Sequence, residues 1–384
     1  MTRALEVVDA ADPADVMVRL AAALAGTGPA LLPRERGVGT AAPAVVASGV
    51  AVVIETSGST ARPKQVALSA DALLASAAAT AEAIGQGQWL LALPVHYVAG
   101  LQVLVRSLVA GSTPVILPSG HFDAAAFRAA AGHLSGTGRY TALVPTQLAR
   151  LLDAARTDAR LLTALRSFDA ILLGGQRAPA GLIDGSAAAG LRVIRTYGSS
   201  ETAGGCVYDG APLGRTHARV HDGQLELAGP MLAEGYVGDE ARTAESFVVD
   251  GGLRWYRTGD VGTVTETEHG TVVEVFGRLD DVFISGGIKV SAGDVERVVQ
   301  TLEGLQEAVV LAVADHEWGQ RAVVIADGRL SAALPSLAAV RSRVVAELGP
   351  AAAPRELMVL ADGLPRLSSG KPDRRALLAL LEHG

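Results

Sequence analysis

Short, nearly continuous runs of Val, Ile and Leu constrain this chain more than any other feature. Ala51 to Glu55, Trp89 to Pro94, Pro114 to Leu117, Thr141 to Pro145, Ala170 to Leu173 and Val193 to Thr196 are the length of strands, and their apolar content suits strands buried on both faces. Between several of them lie helix-like stretches with apolar residues recurring at three and four, notably Asp123 to Leu134 and Thr146 to Leu165. Such β and α alternation implies a largely parallel sheet covered by helices on both sides. After Tyr197 the texture changes, and Gly223 to Gly277 reads as short strands separated by Gly223, Gly229, Gly251-Gly252 and Gly270. The C-terminal stretch returns to mixed structure, with a helix over Ala292 to Leu302, a strand over Ala308 to Ala314 and a helix over Leu337 to Leu348. The expected fold class is α/β. A large N-terminal domain of βα layers with a small β-rich subdomain, residues 1–279, precedes a small α+β C-terminal domain, residues 280–384, with the boundary near Asp280.

Composition narrows the function. At 384 residues the chain is long enough for two domains of about 100 to 200 residues each. Its 33 basic and 40 acidic residues leave a net charge of -7 with no block of one sign, which argues against a nucleic-acid partner. The single cysteine, Cys206, excludes an internal disulfide and any multi-cysteine metal site, and suits a reducing cytosol. Met1 to Ala30 carries acids and no signal-peptide core, so the expected location is cytoplasmic. Ala83 to Val105 lacks formal charge, but its Gly and Gln residues, Pro94 and His96 argue for strand, loop and helix rather than a membrane span. Only three of the 33 basic residues are lysines: Lys64, Lys289 and Lys371. A chain that uses arginine almost everywhere keeps lysine where a compact ammonium is needed.

The sharpest local signal is Thr56-Ser57-Gly58-Ser59-Thr60-Ala61-Arg62-Pro63-Lys64, directly after the strand-like Val52 to Glu55. Small hydroxyl residues and a glycine let N–H and O–H groups wrap a polyphosphate, while Lys64 adds a point charge. The Walker spacing is absent, which disfavours a P-loop kinase. Alone, this segment reads equally as an ordinary Ser/Thr-rich loop. Further motifs follow in order: Tyr197-Gly198-Ser199-Ser200-Glu201, Trp255-Tyr256-Arg257-Thr258-Gly259-Asp260, Gly277-Arg278-Leu279-Asp280-Asp281, Ser285-Gly286-Gly287-Ile288-Lys289-Val290 and Pro365-Arg366-Leu367-Ser368-Ser369-Gly370-Lys371.

In that order, over residues 52 to 374, the chain resembles the adenylate-forming superfamily of acyl-CoA synthetases, luciferases and peptide-synthetase adenylation domains. The resemblance implies ATP, Mg²⁺ and CoA as co-substrates and cofactor. It implies that Thr56, Ser57, Gly58, Ser59, Thr60 and Lys64 hold phosphates, Tyr197 stacks on adenine, Ser200 touches phosphate and Glu201 holds Mg²⁺. Asp260 would bind the ribose, with Arg278 near the nucleotide and Asp280 as the hinge pivot of a mobile C-terminal domain. Gly174-Gly175 would let ligand approach the backbone at the pocket wall, among the ATP-binding residues, with a plain strand-terminating turn as the alternative. Lys371 looks like the catalytic lysine, and Gly286 and Gly287 would line the path of the CoA thiol. Lys289 is open between a CoA phosphate contact and a solvated hairpin charge.

The implied chemistry is carboxylate attack on the α-phosphate of ATP, release of pyrophosphate, and transfer of the acyl group from adenylate to CoA. Neutralising the two anions that meet falls to Mg²⁺ and Lys371. Only 55 residues precede Thr56, as in compact members such as the o-succinylbenzoate:CoA ligases of menaquinone synthesis. Leu93 to Leu101, with Arg106 six residues after Gly100, is similar to theirs, placing His96, Tyr97, Arg106, Gly198 and Ser199 at the acyl group. Arg106 is the only formal charge between Glu82 and Asp123, so it is paired, solvated or waiting for a ligand. A second carboxylate on the acid would answer it, and a structural salt bridge is the alternative. No aspartate occurs near Tyr97, as amino-acid-activating relatives would have. The expected partners are a small carboxylic acid, ATP and CoA, with no nucleic acid and no membrane span, in a form compatible with a homo-oligomer. Rival readings are a stand-alone adenylating enzyme that loads a carrier protein and a non-catalytic nucleotide-binding homologue.

Overall fold

The structure is a computed structural model, which describes residues 1–35, 37, 41–56, 64–118, 120, 122–329, 334–367 and 372–383. The chain forms two compact units. The larger comprises Met1–Arg219, Glu226–Arg257 and Val264–Val273, and the smaller Val220–Leu225, Thr258–Thr263 and Glu274–Gly384.

Two sheets organise the larger unit. One has seven strands in the order Ala211–Pro212, Gly204–Tyr208, Val193–Ser199, Ala170–Leu173, Arg139–Leu143, Gln88–Leu91 and Val115–Ile116. Its last five are parallel, as the apolar runs imply, and the first two are antiparallel. Both reversals have local causes: the short turn Ser200–Thr202, closing on Ala203, follows Val193–Ser199, and Asp209 and Gly210, both with positive φ, close a tight hairpin after Gly204–Tyr208. Connections this short join only antiparallel strands. The second sheet, of six strands, is mixed. Its centre is the parallel set Thr2–Asp9, Ala30–Arg34 and Val50–Thr56, flanked by the antiparallel strands Val45–Ala47 and Lys64–Ser69. The sequence reading placed no elements in the N-terminal region. There a helix over Pro13–Leu24, capped by the Asp12 side chain and opened by a proline, links the first two strands as a parallel crossover.

The helix expected over Thr146 to Leu165 is two helices, Pro145–Ala155 and Ala159–Arg166. Asp158 divides them because its carboxylate accepts the N–H groups of Arg160 and Leu161 and starts a new helix. Their apolar faces, with Phe127 and Phe168, pack on Ile171 and Leu173 of the seven-stranded sheet. In the smaller unit a five-stranded sheet is centred on Gly319–Asp327, with Val309–Asp315 antiparallel and Glu356–Leu360 parallel to it. Helices Ala292–Val299 and Leu337–Leu348 bury Val295, Val298, Val340 and Val344 against it. Among the described residues no helix is long and apolar enough to cross a membrane.

Candidate active site

Thr56 ends its strand opposite Lys64, the first residue of the next, so the two ends of the motif are paired across the antiparallel strands of a hairpin. Ser57, Gly58, Ser59 and Thr60 lie outside the described residues. At the hairpin's base Arg34 forms a two-point ion pair with Glu55 at 2.6 and 2.7 Å, and Gln65 donates to the same carboxylate at 3.0 Å. The Lys64 ammonium lies 5.4 Å from the centroid of the Tyr236 ring. Tyr236 in turn donates its hydroxyl hydrogen to Oε1 of Glu201 at 2.9 Å. Burial, reinforced by the Glu201 charge, pushes the Tyr236 phenol well above its ordinary value, so it remains a donor. Cation, phenol and carboxylate are thus brought together from segments far apart in sequence. Tyr236 was missed by the sequence reading, since nothing near Gly235 and Tyr236 marks them chemically.

Glu201 is 6% exposed and sits in the 3₁₀ turn Ser200–Thr202, its own carbonyl accepting the N–H of Ala233 at 2.8 Å. Ser200 is also buried. The turn closes on Ala203, which takes a left-handed conformation (φ 48°, ψ 34°). Its carbonyl oxygen accepts from Ser76 Oγ at 3.0 Å and from Gln102 Nε2 at 2.8 Å. Tyr197, Gly198 and Ser199 end the strand Val193–Ser199, and Gly174-Gly175 follows the parallel strand Ala170–Leu173. They therefore emerge at the carboxyl edge of the sheet, where ligands of α/β proteins bind. Glycine is required at two of these positions by close approach: a Cβ on Gly198 would stand 2.1 Å from the Gly204 carbonyl oxygen, and one on Gly174 would stand 2.4 Å from Thr196 Oγ1. Ser199 Oγ is buried without a hydrogen-bond partner.

Magnesium ion was expected at Glu201. A lone buried carboxylate with one oxygen held by a phenol fits a cation that keeps most of its waters and takes further oxygens from nucleotide phosphates.

His96 and Tyr97 stand just before the helix Val98–Val109, their ring centroids 4.2 Å apart. Burial lowers the His96 pKa against the raising effect of Glu35, whose carboxylate is 3.6 Å from Nε2, and Nδ1 is buried without a partner. Arg106 lies near the other end of that helix. Nine residues at about 1.5 Å each separate it from Tyr97, so the structure does not bring the two together. Instead its guanidinium is buried 5.0 Å from the Trp89 ring and 3.5 Å from the Tyr208 hydroxyl, with Nε unpartnered. Among the described residues no carboxylate pairs with it, so the structural salt bridge considered above is not present. Burial lowers its pKa. A void of about 10 Å³ beside it, lined by Thr80, Trp89 and Val109 among others, has room for one water. Cys206 is buried, its thiol pushed up to about 12 by desolvation, and is inert as a nucleophile.

In the smaller unit one guanidinium gathers the expected ribose and hinge residues. Arg278 reaches Asp260 Oδ1 at 3.1 Å, Asp280 Oδ1 at 3.0 Å and the Thr258 carbonyl at 2.9 Å. Gly286 and Gly287, both with positive φ, form the two-residue turn between strands Val282–Ser285 and Ile288–Ser291. A Cβ on Gly286 would meet the Trp318 ring at 2.7 Å. Lys289 lies exposed on the second of these strands. Lys371 lies outside the described residues.

Residues 4–252 match the AMP-binding enzyme family, and residues 294–371 match the AMP-binding enzyme C-terminal domain. A protein of Mycobacterium tuberculosis named probable 2-succinylbenzoate--CoA ligase is 43% identical over 335 residues, covering 86% of this chain and 84% of that one. The 2-succinylbenzoate--CoA ligase of Listeria monocytogenes is 28% identical over 352 residues, covering 86% and 70%. The structure of o-succinylbenzoate CoA synthetase from Bacillus subtilis, in complex with the acyl-adenylate intermediate OSB-AMP, matches with a TM-score of 0.73 at 25% identity, covering 94% of this chain and 80% of that one. Motif order, strand-end placement and family match converge: the chain belongs to the adenylate-forming family of AMP-binding enzymes.

Proposed function

We propose that the chain is an ATP-dependent acid:CoA ligase that activates 2-succinylbenzoate as its acyl-adenylate, releases pyrophosphate and transfers the acyl group to CoA. The observation that carries this reading is the cluster of buried Glu201 and Tyr236 with half-buried Lys64, the last residue of the phosphate-loop motif, in a chain 43% identical to a relative of that name. Magnesium ion bound with ATP would supply charge neutralisation between carboxylate and phosphate. Glu201 is its ligand in this reading, and Tyr236 keeps the carboxylate aimed. Lys64 and the hydroxyl residues of the loop take the phosphates, Tyr197 stacks on adenine and Asp260 binds the ribose. Lys371 bridges the attacking carboxylate and the α-phosphate. Residues 280–384 then pivot at Asp280, withdraw Lys371 and present Gly286-Gly287 to the thiol, so that one site serves both half-reactions.

In this reading a second carboxylate on the acid would supply the counter-charge that buried Arg106 lacks among the described residues. The likeness to 2-succinylbenzoate--CoA ligases supports a product that feeds a pathway such as menaquinone synthesis. The test is purified protein with ATP, Mg²⁺, CoA and a panel of aromatic and aliphatic acids, following pyrophosphate release and thioester formation. Preference for 2-succinylbenzoate with free CoA supports the reading. Adenylate formation without transfer to free CoA points to a carrier protein as acceptor, and absence of acid-dependent pyrophosphate exchange with ATP overturns it.

A further inference from the structure

Glu201 is gripped from two sides. Tyr236 and Ala233 hold it on one, through its side chain and its carbonyl. On the other, two buried side chains from different helices converge on a single oxygen. Gln102, fully buried on the helix Val98–Val109, donates through Nε2 to the Ala203 carbonyl at 2.8 Å and to the Leu73 carbonyl at 3.3 Å. Ser76, on the helix Ala70–Ile84, donates to the same Ala203 oxygen at 3.0 Å. Both lone pairs of that carbonyl are thereby engaged. Ala203 is the left-handed residue that ends the turn carrying Glu201, and Gly204, also at positive φ, follows it. Rotating the peptide between them would redirect the turn, and the two donors oppose that rotation.

We propose that Gln102, assisted by Ser76, is a positioning residue for Glu201, fixing the peptide orientation that aims the carboxylate. This inference rests on the reading of Glu201 given above. Simple packing does not explain the glutamine. Its Oε1 is buried without a partner, a cost that an apolar side chain of similar volume would avoid. The amide orientation is fixed, because a flip would set Oε1 against two carbonyl oxygens. Ser76 has its own support. Its carbonyl accepts from Thr80 Oγ1, which shares a hydrogen bond with the Tyr208 hydroxyl at 3.0 Å, and that hydroxyl meets Arg106. A continuous buried chain of polar groups thus runs from Arg106 to the Glu201 turn.

The test uses full-length Gln102→Met, Ser76→Ala and the double variant. Acid-dependent pyrophosphate exchange, the KM for the acid, CoA thiolysis of isolated acyl-adenylate and the thermal midpoint are measured. Mn²⁺ affinity in the presence of a non-hydrolysable ATP analogue, read by electron paramagnetic resonance, gives a measure independent of turnover. Misplacing a metal-binding carboxylate by a fraction of an ångström predicts about a tenfold to hundredfold loss in kcat of adenylation for Gln102→Met. Mn²⁺ binding weakens in parallel, while thiolysis and the KM for the acid stay within about twofold and the thermal midpoint is nearly unchanged. Equal loss of both half-reactions with a lowered thermal midpoint, or unchanged adenylation and Mn²⁺ affinity, overturns the proposal. Should the wild-type protein lack pyrophosphate exchange, the functional reading fails, and the Mn²⁺ titration still decides whether Gln102 positions Glu201.

Discussion

Replacing Arg106 by methionine separates a structural arginine from a substrate-binding one, because the two roles predict changes of opposite sign. In the structure the guanidinium gains a cation–π contact with Trp89 at 5.0 Å and a contact with the Tyr208 hydroxyl at 3.5 Å, the outer limit of a hydrogen bond. The first is worth about 1 to 2 kcal/mol in a dry setting. Against it stands the burial of a cation with no carboxylate beside it, which costs at least several kcal/mol. Methionine fills much of the volume without that cost, so stability is expected to hold or rise by up to about 2 kcal/mol. Binding moves the other way. A charge-assisted hydrogen bond to a carboxylate contributes about 1.5 to 3 kcal/mol, so the KM for a dicarboxylic acid is expected to rise about tenfold to 150-fold. A monocarboxylic acid such as benzoate should change little. Urea unfolding and steady-state kinetics with the two acids are the assays. Loss of more than about 2 kcal/mol of stability, together with equal KM changes for both acids, would refute the reasoning.

Gly198→Ala places a Cβ 2.1 Å from a carbonyl oxygen of the paired strand, so about 1 to 3 kcal/mol of stability and most nucleotide binding should be lost, checked by unfolding and ATP-analogue titration. Tyr236→Phe leaves the Glu201 carboxylate without its donor and is expected to lower kcat of adenylation about tenfold at constant fold stability, read by pyrophosphate exchange. Lys371→Ala should abolish adenylate formation while sparing thiolysis of preformed acyl-adenylate; equal loss of both would contradict the pivoting-domain account. Asp327 is held down to about 2 from 3.8, chiefly by hydrogen bonds from Arg329. A depressed carboxyl stabilises the fold fully above its unfolded value and loses that contribution as pH falls through the folded one. Asp327→Asn should therefore flatten the stability profile between about pH 4 and pH 2, as followed by thermal melts across that range.

The parts of the site that local sequence could reveal are those where backbone geometry and chemistry coincide. One of the two alternatives for Lys289, a solvated hairpin charge, fits its exposed place on the strand that follows the turn Gly286-Gly287, both of whose residues have positive φ. Thr56 and Lys64, the two ends of the small-hydroxyl motif, pair across antiparallel strands, while Ser57, Gly58, Ser59 and Thr60 lie outside the described residues. Other boundaries were less legible: Asp158 splits one periodic stretch into two helices because a carboxylate capping two N–H groups outweighs continuous apolar periodicity. The N-terminal crossover helix was legible, since Asp12 as cap and Pro13 in the first turn mark its start, but the sequence reading placed no element there.

Sequence by itself determined the strand-and-helix grammar, the motif order and the isolation of Arg106 as the only formal charge between Glu82 and Asp123, since each depends on residue type and short spacing. Only the tertiary structure decided that Tyr236 holds Glu201, that Gln102 and Ser76 grip Ala203, and that Arg106 meets Trp89 and Tyr208 rather than Tyr97. These contacts join residues 17 to 127 positions apart. Their partners are chosen by which faces the packed sheet and helices turn toward one another, and no local pattern in the chain encodes that choice.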